Sequence, residues 1–101
     1  MAKRKIVWSH RANIKLFQIL EFYAERNQST AYSKKLYKKF NKELSLLLKQ
    51  PDIGIITEIE DVRGLIVDDY ILFYENKSGL LIVHTVWDCR QNPEDLSIKY
   101  T

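Results

Sequence analysis

The chain has 101 residues, of which 46% are hydrophobic and 29% charged, so its composition predicts one globular domain over residues 1–101 and excludes a largely disordered chain. The formal net charge of +3 is compatible with an acidic protein partner or with nucleic acid and selects neither. No apolar run approaches the roughly 20 residues of a membrane span, and the first residues lack the apolar core of a signal peptide. Because Cys89 is the only cysteine, an internal disulfide is excluded, and we expect a cytoplasmic protein without a metal or cofactor.

The N-terminal half of the chain predicts one strand followed by a helical hairpin. Residues 5–8 are β-like, and Ser9 directly after them is a suitable N-cap for a helix that ends near residue 28. A broad side of this helix is apolar, with Ile14, Phe17, Ile19, Leu20, Phe22, Tyr23 and Ala24. A second helix follows and stops at Gln50, because Pro51 cannot continue it. Its apolar residues recur at helical spacing, at Tyr32, Leu36, Phe40, Leu44 and Leu47.

The C-terminal half predicts a three-stranded meander, with β-like runs that begin at Val62, Tyr70 and Leu80. Residues 68–69 reverse the chain after the first run, and we take residues 76–79 as a four-residue loop after the second. The whole chain thus predicts an α+β fold of order β-α-α-β-β-β, with a helical hairpin packed on one face of a small antiparallel sheet. Two helices return the chain to the end of the sheet that it left. The N-terminal strand is therefore expected antiparallel to the first or third strand of the meander, or parallel to the second.

Strict alternation along these strands gives the meander two apolar faces. With the predicted turns, Phe73 faces Ile82 and Ile71 faces His84. One face then carries Val62, Gly64, Ile66, Ile71, Phe73, Leu80, Ile82, His84 and Val86. The other face carries Arg63, Leu65, Val67, Tyr70, Leu72, Tyr74, Leu81, Val83, Thr85 and Trp87. Since two helices cover about one face of a small sheet, we expect the first face to be covered from outside the chain.

Two groups of charged residues are candidates for chemistry or binding. Helix 2 carries five basic side chains, at Lys34, Lys35, Lys38, Lys39 and Lys42; they form either a solvated face or a contact with an acidic partner or a phosphate backbone. At the end of the last strand, Trp87 could stack on a base and Arg90 could grip a phosphate, with Gln91 beside them. Alternatively, Asp88 and Arg90 pair with each other and fix the C-terminal turn.

Other titratable residues carry weaker signals. Cys89 and His84 are the residue types of a nucleophile and its base, but no third group is placed to orient them, which disfavours cysteine catalysis. Arg63 stands among apolar strand residues and is either a rim residue or a buried, paired guanidinium. The scattered acids near strand ends have no spacing typical of a metal-ligand set.

The order of several short motifs resembles the RelE/ParE family, the small toxins of type II toxin-antitoxin systems. The motifs are Ile6-Val7-Trp8-Ser9, Ala24-Glu25-Arg26-Asn27, Pro51-Asp52-Ile53-Gly54, Val62-Arg63, Asp69-Tyr70-Ile71-Leu72-Phe73-Tyr74-Glu75 and Trp87-Asp88-Cys89-Arg90-Gln91-Asn92-Pro93. The resemblance implies a helical hairpin on a small antiparallel sheet, in a bacterial or archaeal cytoplasmic protein. It also implies a cognate antitoxin partner, which wraps the toxin with one part and binds operator DNA with the other.

Members of this family divide by target. RelE-like members cut messenger RNA in the ribosome with basic residues on the central strands and an arginine after the last strand, whereas ParE-like members poison DNA gyrase. Arg90 matches that arginine, but Val62, Gly64 and Ile71 stand where the central basic groups are expected. The departure favours inhibition by binding a target of the gyrase type over RNA cleavage. A non-toxic binding module that uses the lysines of helix 2 is a further alternative.

The sequence thus yields three sets of site residues as expectations. If the chain is a ribonuclease, the catalytic candidates are Arg90, Arg63 and His84. The target-binding candidates are Trp87, Asp88, Arg90 and Gln91. The antitoxin-binding candidates are Ile71, Phe73, Ile82, Val86, Lys35, Lys38 and Lys42, which fit an amphipathic helix or an added strand flanked by Asp and Glu. On this interpretation, aspartate at Phe73 or Ile82 abolishes antitoxin binding and leaves the helical hairpin folded.

Overall fold

The structure, a computed structural model, describes residues 4–96, without the side chain of Pro93. The strands are β1 (Lys5–Trp8), β2 (Ile55–Ile56), β3 (Val62–Val67), β4 (Tyr70–Lys77) and β5 (Leu80–Asp88). The helices are α1 (His10–Asn27) and α2 (Ala31–Leu47), and a 3₁₀ turn spans Pro93–Asp95. The predicted α+β fold, with its helical hairpin packed on one face of a sheet, is confirmed. The sheet, however, has five strands and is mixed.

Both helices form where the sequence predicts them. Ser9 caps α1, since its hydroxyl accepts the N–H of Ala12 at 3.1 Å. The same hydroxyl donates to the carbonyl of His84 at 2.9 Å, which ties the start of α1 to β5. Helix α2 ends at Leu47, three residues before the predicted Gln50. Neither α1 nor α2 has the length and apolar character that a membrane-spanning helix requires.

The sheet has the order β1-β5-β4-β3-β2, and the expected position of β1 was wrong. Strand β1 runs parallel to β5, with Lys5 opposite Leu80 and Trp8 opposite Val83. The helical hairpin does return the chain in the opposite direction, because β2 pairs antiparallel with β3, and β3 and β5 both lie antiparallel to β4. The prediction failed because it overlooked the two-residue strand β2, which adds one reversal before the meander.

The predicted register is right between β3 and β4 and wrong between β4 and β5. Ile66 pairs with Ile71 as expected. The second turn has two residues instead of four, since Lys77 pairs with Leu80. Ser78 and Gly79 make this turn with positive φ angles of 51° and 82°, as a tight hairpin of this handedness requires.

A β-bulge in β5 explains the other register errors. Tyr74 pairs with Val83 and Phe73 pairs with Thr85, so His84 is the extra residue. Beyond the bulge every side chain changes face relative to strict alternation. Val86 therefore packs with the residues under the helices, and Trp87 packs on the opposite face.

The sheet has a buried cluster on each face. The larger cluster lies under the helices and includes Leu16, Leu36, Phe40, Leu44, Leu72, Tyr74 and Val83. The smaller cluster consists of Val62, Ile71, Phe73 and Leu96, with Trp87 packed against it. Ile71 and Phe73 are only 1% and 0% exposed, so the expectation that they need a cover from outside the chain was wrong. The segment after β5, ending at Leu96, contributes to their burial.

Candidate functional site

The best-organised polar cluster lies where β5 ends and the chain turns away from the sheet. The turn is held by two backbone donors, because the N–H of Cys89 donates to the carbonyl of Asp69 at 2.8 Å and the N–H of Arg90 donates to Asp88 Oδ1 at 2.9 Å. An aspartate that accepts a backbone N–H two residues later stabilises this kind of turn. The turn therefore fixes the backbone from which the Arg90 side chain extends.

The guanidinium of Arg90 is held on several sides. Its Nε and Nη2 donate to the two carboxylate oxygens of Asp88, at 3.0 and 2.9 Å. Nη2 also donates to the hydroxyls of Tyr23 and Tyr70, at 2.7 and 3.1 Å. Tyr23 lies on α1 and Tyr70 at the start of β4, so three elements converge on one charged group. We call these four residues the Arg90 cluster.

Three groups of this cluster, Asp88, Arg90 and Tyr70, have shifted pKa values. Hydrogen bonds from Arg90 hold the pKa of Asp88 below its ordinary value, and hydrogen bonds to Asp88 and Tyr23 raise the pKa of Arg90. Burial and the hydrogen bond with Tyr23 raise the pKa of Tyr70. The cluster is therefore an ion pair with a neutral hydroxyl at Tyr70.

A groove of about 400 Å³ opens beside the cluster, between α1 and the end of β5. We call it the Arg90 groove, and its walls are Lys15, Gln18, Ile19, Phe22, Arg26, Val86, Asp88, Arg90 and Gln91. Three of these side chains are cationic, while the lone carboxylate, Asp88, already pairs with Arg90. Phe22 is 53% exposed, and the Arg26 guanidinium lies 6.0 Å from the centre of its ring. The groove thus combines positive charge with exposed aromatic surface.

Comparison with known proteins identifies the family. The family model described as ParE toxin of type II toxin-antitoxin system, parDE, matches residues 6–93. The chain belongs to the ParE toxin family. This membership makes it the toxin component of a type II toxin-antitoxin system, with a cognate antitoxin as its partner.

The fold agrees with this family. A solved structure described as the chromosomal ParDE TA system from P. aeruginosa is similar, with a TM-score of 0.73. The match covers 85% of this toxin and 96% of that chain at 14% sequence identity, so it supports the fold alone. No curated protein matches this ParE toxin in sequence.

The structure separates the target-binding candidates of this ParE toxin. Asp88, Arg90 and Gln91 line the Arg90 groove. Trp87 packs instead against the small cluster on the opposite face of the sheet, because the bulge at His84 turns it away. The pairing of Asp88 with Arg90 at the turn is confirmed, whereas contact of Arg90 with a phosphate or another target stays a prediction.

The three catalytic candidates do not come together. Arg63 donates to the carbonyl of Gly54 at 3.0 Å, and His84 Nε2 lies 3.0 Å from a carboxylate oxygen of Glu75. Arg63 pairs with Tyr74 across the sheet, whereas Arg90 binds Tyr70, four residues earlier on the same strand. Four strand residues span about 13 Å.

Of the remaining candidates, the antitoxin-binding set, only Val86 borders the Arg90 groove. Lys35, Lys38 and Lys42 are exposed on α2 as the sequence predicts. Ile71 and Phe73 are buried, Val86 is buried on the helix-facing side, and only Ile82 of the apolar antitoxin candidates is partly exposed.

Metal and cysteine chemistry gain no support from the part of the chain that the structure describes. Residues 4–96 contain no group of histidine, cysteine or acidic side chains placed to hold a metal ion. Burial, with the charges of Asp88 and Asp69, raises the pKa of the Cys89 thiol, which makes it a weak nucleophile near neutral pH.

Sequence reasoning missed the α1 residues of the site. Tyr23 belongs to the predicted apolar side of α1, and it is buried in the core while its hydroxyl accepts a hydrogen bond from Arg90. Phe17 and Phe22 were assigned to the same apolar side, yet they are 65% and 53% exposed. Each helical residue is rotated by about 100° around the helix axis, so side chains five residues apart point about 140° away from each other. Phe17 and Phe22 therefore cannot both lie on one narrow apolar stripe. The apolar side of α1 is wider than the surface that one helix buries against a sheet, and this excess width was the sequence signal that some of its side chains are exposed.

Proposed function

We propose that this ParE toxin arrests growth by binding a macromolecular target of the gyrase type and not by cutting messenger RNA. It acts in the cytoplasm until the cognate antitoxin neutralises it, and the toxin-antitoxin complex binds operator DNA through the antitoxin. The observation that carries the proposal is the separation of Arg63, His84 and Arg90, each with its own partner.

Metal-free RNA cleavage needs an acid, a base and a cation around one phosphate. In the described region, His84 pairs with Glu75 and Arg63 binds the Gly54 carbonyl, far along the sheet from Arg90. A single cation gathered at the scissile phosphate supplies only part of that chemistry. The arrangement supports recognition rather than bond cleavage.

The Arg90 cluster is well suited to recognition. Its guanidinium is positioned by two hydroxyls and a carboxylate, so little side-chain entropy is lost when it contacts a target. Gln91 adds an amide on the same wall of the groove. We therefore assign target contact to Asp88, Arg90 and Gln91. Trp87 lies on the opposite face of the sheet, so it can contact the target only if the target also reaches that face.

The test is controlled induction of the toxin in cells, followed by parallel assays of transcript ends and of DNA breaks with trapped topoisomerase. We expect growth arrest with DNA damage, inhibition of purified gyrase, and intact transcripts. Replacing Arg90 by alanine should reduce the arrest, whereas Arg63→Ala and His84→Ala should leave the target assay unchanged provided that the variants fold. Transcripts cut at ribosomal positions, with arrest that depends on all three residues, would establish the ribonuclease mechanism instead.

A further inference from the structure

Helix α2 carries more positive charge than the chain as a whole. Its 17 residues include five lysines and one glutamate, a net charge of +4, whereas the whole chain has a net charge of +3. The residues outside α2 therefore have a net charge of −1. Basic side chains clustered along one helix are the electrostatic footprint of a nucleic-acid-binding surface.

Four of the five lysines lie on the exposed side of α2, opposite its buried residues. At about 100° of rotation per residue, these four fall within an arc of about 100° around the helix axis. We call them the α2 lysine stripe: Lys34, Lys35, Lys38 and Lys42. The fifth lysine, Lys39, lies outside the arc and pairs with Asp68 at 2.6 Å.

The stripe has no ion-pair partner among residues 4–96, where the ion pairs involve Lys39, Arg63, His84 and Arg90. Its lysines repeat at spacings of three and four residues, and like charges at these spacings destabilise a helix. The first turn of α2 also lacks an acidic residue, so Lys34 meets the positive end of the helix dipole without compensation. The described part of the chain does not offset these costs, and an anionic ligand on the stripe would.

The composition of the stripe fits a phosphate backbone better than a protein surface. Protein interfaces are depleted of lysine and have aromatic or apolar side chains at their centre. The other α2 residues within the arc are small, Ala31 and Ser45, while the exposed Tyr37 and Leu46 lie outside it. Interfaces with DNA are much more positively charged than interfaces between proteins, as this surface is.

We propose that the α2 lysine stripe binds the sugar–phosphate backbone of double-stranded DNA without sequence preference. From Lys34 to Lys42 the helix rises by about 12 Å, and the phosphates of one DNA strand follow one another every 3.4 Å or so, at about 3.4 Å per step. Three to four phosphates, roughly one for each ammonium group, therefore lie along the stripe. The choice of DNA rests on the proposed function, because a target of the gyrase type holds duplex DNA beside the bound toxin.

Two other occupants fit the stripe less well. Proteins that bind single-stranded nucleic acids stack the bases on aromatic side chains, and the arc of the stripe contains no aromatic residue. A second copy of the toxin would bring α2 against another α2, and like charges in an interface disfavour association. A duplex with its bases paired needs only the cations that the stripe supplies.

The test compares two double substitutions with the same change in net charge. Lys35→Gln with Lys38→Gln removes two lysines of the stripe, and Lys5→Gln with Lys77→Gln removes two exposed lysines of the sheet. Each pair takes the formal net charge from +3 to +1. Binding of the purified toxin to a short, fluorescently labelled DNA duplex is measured by anisotropy across a fourfold range of salt, from about 25 to about 100 mM.

The salt dependence counts the contacts, because the logarithm of the affinity falls by about 0.9 per neutralised phosphate for each tenfold rise in salt. With four contacts, the unchanged toxin should lose about 150-fold in affinity over this range, and so should the Lys5 and Lys77 pair. The stripe pair should lose only about 12-fold, and at the lowest salt it should bind at least about 30-fold more weakly than the unchanged toxin.

Other outcomes overturn the assignment. Equal effects of the two pairs would mean that net charge alone drives binding, and a duplex that does not bind even at the lowest salt would exclude the site. A polyglutamate peptide and an RNA duplex of the same length are further probes. Tighter binding of either one than of the DNA duplex, lost in the stripe pair, would assign the stripe to an acidic protein or to RNA instead.

Folding and target inhibition are controlled separately. Circular dichroism checks that both pairs fold; if one does not, Lys38→Gln is compared with Lys77→Gln, and the single stripe variant should lose about 40-fold over the same salt range. Inhibition of purified gyrase tests the proposed function. Inhibition by a toxin that does not bind the duplex overturns the stripe assignment alone, whereas stripe-dependent duplex binding without inhibition overturns the proposed function and leaves the stripe supported.

Discussion

Replacing Phe73 by aspartate is expected to abolish the native fold rather than antitoxin binding alone. Phe73 is fully buried in the smaller cluster, and truncating a buried phenylalanine costs about 3–5 kcal/mol. Keeping the new carboxyl neutral at pH 7 requires its pKa to rise by about three units from its unfolded value near 4, which costs about 4 kcal/mol more. The sum of roughly 7–9 kcal/mol is comparable with the whole stability of about 5–15 kcal/mol for a domain of this size.

Thermal and urea unfolding, followed by circular dichroism, measure this effect. Ile82→Asp is the matched control, because Ile82 is only partly buried on the same face; we expect it to lower the melting temperature by roughly 5–15 °C and to remain folded. The carboxyl at position 73 has a raised pKa in the folded state, so any residual stability should be greatest below about pH 4 and fall as the pH rises. A Phe73→Asp protein that melts within about 5 °C of the unchanged toxin would refute the assignment of this face to the core.

Three further changes test particular contacts. Gly54→Ala would place a Cβ 2.6 Å from the Tyr74 hydroxyl, and we expect a loss of about 1–3 kcal/mol in urea unfolding; unchanged stability would show that this close approach relaxes freely. Because the pKa of Asp88 is lowered in the folded state, its ion pair with Arg90 stabilises the fold above about pH 4, and this contribution is lost as the pH falls through the pKa of the folded state. Asp88→Asn should flatten that part of the curve of stability against pH. An unaltered acid transition would contradict the reasoning. Tyr23→Phe removes one hydroxyl that positions Arg90 and should weaken inhibition of the target roughly 5–10-fold with a stability change below about 1.5 kcal/mol, as measured by dose–response and by melting; full potency would exclude a positioning role.

Local patterns predicted most of the secondary structure because local chemistry determines it. Ser9 is a side-chain cap and Pro51 cannot continue a helix, so both helices could be located without tertiary information. Strand β2 has only two residues, too few to show periodicity, and it exists because β3 offers it a partner. The bulge at His84 has no local marker such as a glycine, and one unforeseen extra residue exchanged the faces of Val86 and Trp87.

The candidate site was predicted in part for a similar reason. Trp87, Asp88, Arg90 and Gln91 lie within five consecutive residues, so the sequence alone groups them as a candidate site. The partners of Arg90 come from α1 and β4, 67 and 20 residues away, and no sequence pattern links them. Tyr23 also fits the apolar core pattern, so its role as a hydrogen-bond acceptor for Arg90 emerges only when the elements are packed.

The parallel pairing of β1 with β5 determines the order in which the polypeptide can complete its fold. Residues 5–8 pair with residues 80–83, which lie 75 positions later in the chain. The Ser9 hydroxyl likewise donates to the carbonyl of His84, 75 positions later. During translation the first strand therefore stays unpaired until nearly the whole chain has been made, and such long-range pairing slows folding. A message cut short before β5 encodes neither this strand pair nor Arg90, so we expect prematurely terminated chains to be unfolded and harmless to the cell that makes them.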